Sequence, residues 1–314
     1  MSSFGDGNIR RTMKSNIELL NDCDQILPKL NYYKFRITGF GNSFGTLLED
    51  VVQRCSWGRQ WHVDHSETTV TLDAPDIAQR NNAMHEMLKR EQEKDTFMQL
   101  RKWSNEVFPV YGPKKELVMS IERVAAPLFG IVTYGVQLLA YHEDDSAGFG
   151  LWVARRAKAK RTFPGMLDST VGGSLPTEET PFDCLVREAE EEASFNPELV
   201  RKHAIACGTV NYLCLTDERS GGEIGCFTPE VQFVYEIKLP QDIIPIPGDG
   251  EAEEITLMTV PQLKKALAEG EFTPANGCIV LDFFVRHGVL TFENEPDYIE
   301  IASRLHRVLD LQTA

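Results

Sequence analysis

The 314-residue sequence lacks any run of about 18 apolar residues, the length that a membrane-spanning helix needs. Its first 16 residues also lack the apolar stretch of a secretory signal, and the two arginines among them are weak evidence for an organelle-targeting segment. We therefore expect a cytoplasmic protein with no membrane partner.

Paired metal-binding cysteines are absent too. The seven cysteines are scattered, odd in number and never spaced CxxC, which is typical of reduced thiols and disfavours a disulfide framework or a zinc site. His62 and His65 form an isolated HxxH, and without further ligands nearby such a pair is more often surface or core polarity than a metal site.

Positive charge is scarce in one part of the chain. The net charge is −15, and residues 1–118 hold 16 basic and 16 acidic side chains, so the surplus of acid lies entirely in residues 119–314. This balance disfavours a nucleic-acid or anionic-membrane partner bound through a broad basic face.

The pattern of apolar residues indicates two domains. Residues 1–118 read as a small α+β domain, with a helix over 16–27, strands near 32–40 and 69–75, and a long amphipathic helix over 74–103. A segment with two prolines and a glycine, 107–116, precedes the boundary. Strands and helices then alternate over residues 119–314, including helices expected at 181–193, 260–270, 278–288 and 298–311. The expected class of this second domain is α/β.

Three glycines, Gly39, Gly41 and Gly45, follow a predicted strand and precede the helix-like segment 46–52. Their spacing is GxGxxxG rather than GxGxxG, and no acidic residue closes a clear second strand where a ribose would need it. A tight structural turn is the better interpretation than a dinucleotide site.

The most distinctive segment is an acidic helix. Thr180 followed by Pro181 predicts its start, and Glu188, Glu191 and Glu192 are related by i, i+3 and i+4, so one helix face carries all three carboxylates. Oxygen-only ligand sets suit hard cations such as Mg²⁺ or Mn²⁺. From the cluster alone, a solvated acidic face is an equally good interpretation.

The frame around that helix decides between the two interpretations. Residues 173–195, "GSLPTEETPFDCLVREAEEEASF", resemble the Nudix box, Gx5ExxxxxxxREUxEExGU, in which U is a bulky apolar residue. Every charged position is matched, including Glu179. The departure is Ser194, where the family has glycine at a position that favours left-handed backbone, and this change removes no ligand.

That resemblance implies an α/β/α sandwich around a mixed sheet and hydrolysis of a diphosphate linked to another group. It also implies roles for particular residues: Glu188, Glu191 and Glu192 as metal ligands, one of them serving as the base, and Arg187 as a salt-bridge partner that holds a carboxylate. Gly173 would let the backbone approach the metal and belongs to the same metal site. The implied cofactor is Mg²⁺ or Mn²⁺.

Flanking segments resemble one subfamily, the Nudix proteins related to thiamin pyrophosphokinase, and its amino-terminal companion domain. This finer resemblance implies a diphosphatase that acts on thiamin diphosphate or on its damaged oxo and oxy forms, with the monophosphate as product. The segments that carry it are residues 40–52, 101–112, 122–141, 151–174, 248–258 and 282–290.

Residues outside the box complete the expected site. Arg155, Arg156 and Lys160, together with Lys158 and Arg161, form a basic patch that is either a solvated hairpin end or a clamp for a terminal phosphate, with Lys160 the first candidate. Asp168 either faces the site or ends a turn. In the acidic run at 251–254, family resemblance favours Glu251 as a further ligand or base, with Glu254 second.

Two other functions stay open at this stage. One keeps the chemistry and changes the substrate to ADP-ribose, a nucleotide sugar or coenzyme A. The other is a non-catalytic module that binds a diphosphate and regulates another activity. The expected partner is a small-molecule diphosphate, and the sequence leaves the oligomeric state open, with a homodimer as one option.

Overall fold

A computed structural model of the chain describes residues 13–25, 32–144, 148–160, 162–220 and 222–314. Its α-helices are α1 Asn16–Cys23, α2 Glu49–Arg54, α3 Ile77–Glu93, α4 Ala126–Phe129, α5 Pro181–Ala193, α6 Pro197–His203, α7 Val260–Ala268, α8 Pro274–Arg286 and α9 Tyr298–Leu305. Its strands are β1 Tyr32–Ile37, β2 Gly45–Leu48, β3 Trp61–Asp64, β4 Thr69–Leu72, β5 Val107–Tyr111, β6 Leu117–Glu122, β7 Thr133–Asp144, β8 Gly148–Arg156, β9 Leu167–Asp168, β10 Val171–Ser174, β11 Ile205–Leu215, β12 Phe227–Lys238 and β13 Ala252–Thr259.

The amino-terminal part of the chain builds a small sheet in the order β2-β1-β4-β3, with β1 and β4 parallel and the other pairs antiparallel. Its core combines aliphatic and aromatic side chains, and Phe35 packs edge to face on Phe129, with ring centroids 5.3 Å apart. Helix α3 and the hairpin of β5 and β6 close this core.

The long helix expected over 74–103 is shorter in the structure. Asp76 caps α3 by accepting a hydrogen bond from the backbone N–H of Gln79 at 2.9 Å. The helix ends at Glu93 because Asp95 adopts a left-handed backbone with φ 56°, and a separate 3₁₀ turn covers Met98–Lys102.

The glycine segment at 39–45 forms a turn and the start of β2 rather than a dinucleotide loop. Gly39 has φ 90° in the turn, and Gly45 already pairs with Phe35 in the antiparallel ladder. A side chain at Gly45 would begin 2.2 Å from the carbonyl oxygen of Phe129, so this glycine permits close packing of two backbone segments.

The larger sheet runs in the order β11-β12-β7-β8-β13, and it is mixed because β12 lies parallel to β7 while the other pairs are antiparallel. Strand β7 changes partner along its length: residues 135–138 pair with β10, and residues 141–144 pair with β8. The sheet therefore divides between β10 and β8, and this division positions the candidate site.

Helices cover both faces of the larger sheet, which gives the expected α/β/α sandwich. Helix α5 packs on one face through Leu185 and Ala189. Helices α7, α8 and α9 cover the other face together with α1, whose Leu20 and Cys23 belong to the same apolar cluster as Phe283 and Leu305. None of the helices in the described ranges is long and apolar enough to span a membrane.

The last helix, α9, ends at Leu305 rather than at residue 311, and His306 follows it. The Nε2 atom of His306 lies 3.2 Å from a carboxylate oxygen of Asp282, and its Nδ1 atom lies 2.9 Å from the carbonyl oxygen of Thr209. Both nitrogens can donate only when the ring is charged, so the bond to Asp282 raises the pKa of His306 above 6.5.

This contact predicts a pH-dependent contribution to stability. A pKa that is raised in the folded state gives stability that is complete below about pH 6.5 and is lost as pH rises through the folded pKa. We expect the melting temperature of His306→Gln to fall below that of the wild type at pH 5.5 and to approach it at pH 8.5. Thermal unfolding across this range measures the effect, and a difference that is independent of pH would contradict it.

Candidate active site

The helix that carries the candidate carboxylates begins and ends as its sequence predicted. The Thr180 side chain accepts a hydrogen bond from the backbone N–H of Asp183 at 3.2 Å, and Pro181 occupies the first turn. At the other end Ser194 takes the left-handed conformation with φ 55°. Ser194 therefore adopts the left-handed backbone conformation that ends the helix of the Nudix box, although it is not a glycine.

Arg187 organises the outer side of this helix. Its guanidinium binds Glu179 in a two-pronged contact, with N–O distances of 3.0 and 2.9 Å, and this bond raises the pKa of the arginine. The Nη1 atom of the same side chain lies 3.0 Å from a carboxylate oxygen of Glu188 and 3.0 Å from one of Glu191. Arg187 thus offsets the charge of three carboxylates.

Glu192 turns away from Arg187 toward the division in the sheet. Its Oε2 atom accepts a hydrogen bond from the backbone N–H of Gly172 at 2.8 Å. Oxygens of Glu192, Asp249 and Glu251 all lie within 4.8 Å of one another. Burial raises the pKa of Glu192 well above 4.5, and the negative charges of nearby Asp168, Glu188 and Glu251 act in the same direction.

The loop before β13 brings Asp249 and Glu251 to this position. Its backbone is fixed to the end of α5 by two hydrogen bonds, from the N–H of Ile246 to the Ala193 carbonyl at 3.0 Å and from the N–H of Gly248 to the Glu192 carbonyl at 3.1 Å. A β-carbon at position 248 would lie 2.1 Å from the Glu191 carbonyl oxygen, so only glycine permits this approach.

Two cations face the carboxylates. The ammonium group of Lys160 forms an ion pair with Glu251, and Arg156 binds Asp168 with an N–O distance of 2.5 Å. Burial acts to raise the pKa of Glu251, but the contact with Lys160 outweighs it, so that pKa lies below 4.5. These groups line a small pocket with Ala154, Ser169, Thr170, Gly172, Glu192 and Ala252.

Arg155 lies outside this pocket. Its side chain binds the Gly165 carbonyl oxygen at 2.9 Å and pairs with Glu254, whose carboxylate oxygen is 3.3 Å away. Neighbouring residues on a strand point to opposite faces, which separates Arg155 from Arg156. Glu254, the second choice for an additional carboxylate, is occupied by this surface ion pair.

The arrangement of Glu192, Asp249 and Glu251 fits a hard divalent cation. Carboxylate oxygens this close repel one another when they are ionised, and a bound cation would relieve that repulsion. All donors are carboxylate oxygens, which is the chemistry that Mg²⁺ and Mn²⁺ prefer.

Comparisons with known proteins identify the family of this chain. The profile of the family described as "NUDIX domain" matches residues 134–276, and that of a "Domain of unknown function (DUF4743)" matches residues 16–133. Nudix hydrolase 24, chloroplastic, of Arabidopsis thaliana is 34% identical over 92% of this chain and 77% of its own length. The chain belongs to the Nudix hydrolase family.

Other relatives extend the comparison. The uncharacterised protein YJR142W of Saccharomyces cerevisiae is 32% identical over 95% of this chain and 92% of its own length. Among solved structures, DR0079 from Deinococcus radiodurans is 20% identical with a TM-score of 0.39, and the match covers 64% of this chain and all of that one. This Nudix hydrolase thus shares most of its length with the Arabidopsis and yeast relatives named here.

The structure corrects one geometric expectation for the Nudix box. Helical spacing predicted that the carboxylates of Glu188, Glu191 and Glu192 meet at one point, but Arg187 draws Glu188 and Glu191 to itself, and Glu191 remains half exposed. Within the described ranges, the set of acidic, histidine or cysteine ligand atoms close enough to share one ion is Glu192 with Asp249 and Glu251. The ligand roles of Glu188 and Glu191 stay a prediction.

The remaining predicted residues are located as follows. Gly173 lies in β10, where a β-carbon would meet the carboxylate carbon of Glu188 at 2.3 Å, so its lack of a side chain makes room for that glutamate. Asp168 faces the pocket, held by Arg156 and by Asn276. Arg161, named with the basic patch, lies outside the described residues.

Sequence reasoning missed Asp249. It stands in the same acidic run as Glu251, and the signal that could have singled it out is the pair of glycines on either side, Gly248 and Gly250, which indicate a tightly constrained backbone.

Proposed function

We propose that this Nudix hydrolase cleaves the diphosphate of thiamin diphosphate, or of its oxidised oxo and oxy forms, to the monophosphate and phosphate, with Mg²⁺ or Mn²⁺ as cofactor. The observation that carries the proposal is the meeting of the Glu192, Asp249 and Glu251 carboxylates beside Lys160 and Arg156. A site that holds both carboxylates and cations suits a metal-bound diphosphate better than either charge alone.

The proposed ligand set joins the box to the later loop. Glu192, Asp249 and Glu251 would hold a divalent cation, and Glu188 borders the site, since its charge influences Glu192. A cation bound there supplies the positive charge that offsets the diphosphate and makes its phosphorus more susceptible to water. Arg187 would keep Glu188 in place, because it already contacts that carboxylate.

The protein groups have separate tasks in the proposed reaction. Lys160 is positioned to hold a terminal phosphate by exchanging its contact with Glu251 for one with the substrate. Arg156, fixed by Asp168 and by the Thr162 carbonyl oxygen 3.1 Å away, would orient the same phosphate. One carboxylate would accept a proton from the attacking water, and Glu192 is the candidate because it is the glutamate of the box that lines the pocket.

The thiamin assignment rests on the resemblance of segments on both sides of the box to the subfamily related to thiamin pyrophosphokinase. With the damaged oxo and oxy forms as substrates, the activity would be one of metabolite repair. ADP-ribose, nucleotide sugars and coenzyme A are the alternative substrates, and a binding module without turnover is the alternative of another class.

A substrate panel tests the proposal. The full chain is incubated with Mg²⁺ and with thiamin diphosphate, its oxo form, its oxy form, ADP-ribose and coenzyme A, and monophosphate release is followed by chromatography. We expect the highest kcat/KM for a thiamin compound. A preference for ADP-ribose or coenzyme A would replace the proposed substrate, and tight binding without any product at saturating Mg²⁺ would favour the regulatory module.

Lys160 offers a more specific prediction. In Lys160→Met the phosphate loses a charged partner, so we expect KM for the preferred diphosphate to rise about ten-fold with a smaller change in kcat. Steady-state kinetics of the full chain measures both constants. Lys158→Met is the matched control, because Lys158 is exposed on the same hairpin and does not line the pocket. Equal effects of the two substitutions would contradict the role of Lys160.

We also propose that the protein acts in the cytoplasm, although the Arabidopsis relative is named chloroplastic. Imaging of the chain fused at its carboxyl end to a fluorescent protein tests this proposal. Signal confined to an organelle would contradict it.

A further inference from the structure

The turn between β11 and β12, residues 216–226, is bound to the amino-terminal part of the chain. The Glu223 side chain is only 9% exposed, and its carboxylate accepts hydrogen bonds from the backbone N–H groups of Met98 at 2.8 Å and Gln99 at 3.4 Å. Cys226 is buried in the apolar cluster that underlies the small sheet. The turn therefore extends from the larger sheet into the core of the amino-terminal part.

The same turn contacts the loop between β8 and β9, residues 157–166. Two nitrogens of Arg219 donate hydrogen bonds to one carboxylate oxygen of Asp217, at 2.9 and 2.7 Å, which fixes the guanidinium group within the turn. That group lies over the half-buried ring of Phe163, with 5.4 Å between the guanidinium carbon and the ring centroid. Arg219 thus joins the turn to the loop by a cation–π contact.

Phe163 has an unusual backbone conformation. Its φ is 49°, in the left-handed region that bulky aromatic residues seldom adopt, and such a conformation costs free energy unless its surroundings hold it. The backbone N–H of Met166 donates a hydrogen bond to the Phe163 carbonyl oxygen at 3.4 Å, which closes a tight turn. This hydrogen bond and the contact of the ring with Arg219 hold Phe163 in its conformation.

The conformation of Phe163 sets the direction of the Thr162 carbonyl group. That carbonyl belongs to the peptide unit between the two residues, so rotation about φ of Phe163 turns it. Arg156, which lines the pocket of the candidate active site, donates hydrogen bonds to the Thr162 carbonyl oxygen from Nε at 3.1 Å and from Nη2 at 3.0 Å. Relaxation of φ from 49° to an ordinary value of about −60° would turn this peptide by about 110° and carry the oxygen away from Arg156.

We propose that Arg219 and Phe163 are positioning residues through which the amino-terminal part of the chain orients the phosphate-binding group of Arg156. The proposal rests on the proposed function, in which Arg156 orients the phosphate, and extends it by giving a role to the region that matches the domain of unknown function. The anchored turn places Arg219, which holds the ring of Phe163, and the backbone of Phe163 presents the Thr162 carbonyl oxygen to Arg156.

Steady-state kinetics of Arg219→Met in the full chain tests the proposal. We expect KM for thiamin diphosphate, or for whichever diphosphate is the better substrate, to rise about two- to five-fold, the range of one exposed cation–π contact, with kcat changed by less than about two-fold. Arg123→Met is the matched control, because Arg123 is also about half exposed, pairs with Glu106 at 2.8 Å and lies over the ring of Phe108. An unchanged KM in Arg219→Met, or an equal rise in the control, would overturn the proposal.

Two substitutions of Phe163 separate its backbone conformation from its ring. Phe163→Ala and Phe163→Gly both remove the ring, but only glycine adopts a φ near 49° without steric cost. The Thr162 carbonyl should therefore keep its direction more often in the glycine variant, and we expect KM to rise less in Phe163→Gly than in Phe163→Ala. Adding Arg219→Met to Phe163→Ala should raise KM no further. Equal rises in the two Phe163 variants, or additive effects in the double variant, would contradict the proposed coupling.

Hydrogen exchange distinguishes failure of this proposal from failure of the proposed function, because it needs no substrate. Mass spectrometry of the full chain follows the backbone amides of residues 157–166. We expect their exchange to be about two- to five-fold faster than in the wild type in Arg219→Met, and also faster in Glu223→Ala, which frees the turn from the amino-terminal part, but unchanged in Arg123→Met. Should no diphosphate be hydrolysed, the proposed function fails and this exchange alone decides the coupling. Exchange in Arg219→Met equal to that of the wild type overturns the proposal in either case.

Discussion

Replacing Glu192 by Gln is expected to lower kcat for diphosphate hydrolysis by about 10²–10⁴-fold, the range typical of a lost catalytic base. The substitution keeps the size of the side chain but removes the charge that, with Asp249 and Glu251, would hold the cation. It also removes the proposed proton acceptor. Monophosphate release under saturating Mg²⁺ measures the effect, and a rate near that of the wild type would contradict the proposed mechanism.

The same substitution that lowers kcat should leave the thermal stability of the metal-free protein unchanged or raise it. Burial and three neighbouring carboxylates disfavour the charged form of Glu192, so without a divalent cation we expect Glu192→Gln to melt at or above the temperature of the wild type. Added Mg²⁺ should raise the melting temperature of the wild type and have less effect on the variant. Glu190→Gln is the matched control, since Glu190 is exposed on the same helix and is expected to leave both measurements unchanged.

Local signals predicted the part of the site that lies within one helix. Thr180 and Pro181 marked the start of α5, and the frame around Arg187 identified the family. These features depend on interactions over one or two helical turns, which the order of residue types determines directly. The bounds of α5 agree with the segment predicted, Pro181–Ala193.

Contacts between distant segments could not be predicted in the same way. Helical spacing grouped Glu191 with Glu192, but the side chain of Arg187 competes for Glu191 and separates the two. Asp249 reaches Glu192 through a loop that lies far along the chain from α5.

The second large effect is expected at Gly248, which is neither charged nor in contact with substrate in the proposed mechanism. In Gly248→Ala the new methyl group would begin 2.1 Å from the Glu191 carbonyl oxygen, a backbone atom that cannot rotate away, so the loop must move off the end of α5. That movement breaks the hydrogen bond to the Glu192 carbonyl and carries Asp249 and Glu251 away from Glu192. Because displacements of about 1 Å can reduce catalysis about 100-fold, we expect kcat/KM to fall by at least about ten-fold.

Kinetics over a range of Mg²⁺ concentrations tests directly whether displacement of Asp249 and Glu251 causes the loss of activity. If the loop positions two of three metal ligands, Gly248→Ala should need a higher Mg²⁺ concentration for half-maximal activity, whereas a general loss of folding would lower activity at every concentration alike. Gly41→Ala is the matched control, because a β-carbon there meets no atom within 4 Å and the backbone has no positive φ. An unchanged Mg²⁺ requirement in Gly248→Ala would mean that Asp249 and Glu251 are not ligands, and the cation would then have to be held by Glu192 with Glu188, the nearest other carboxylate of the box.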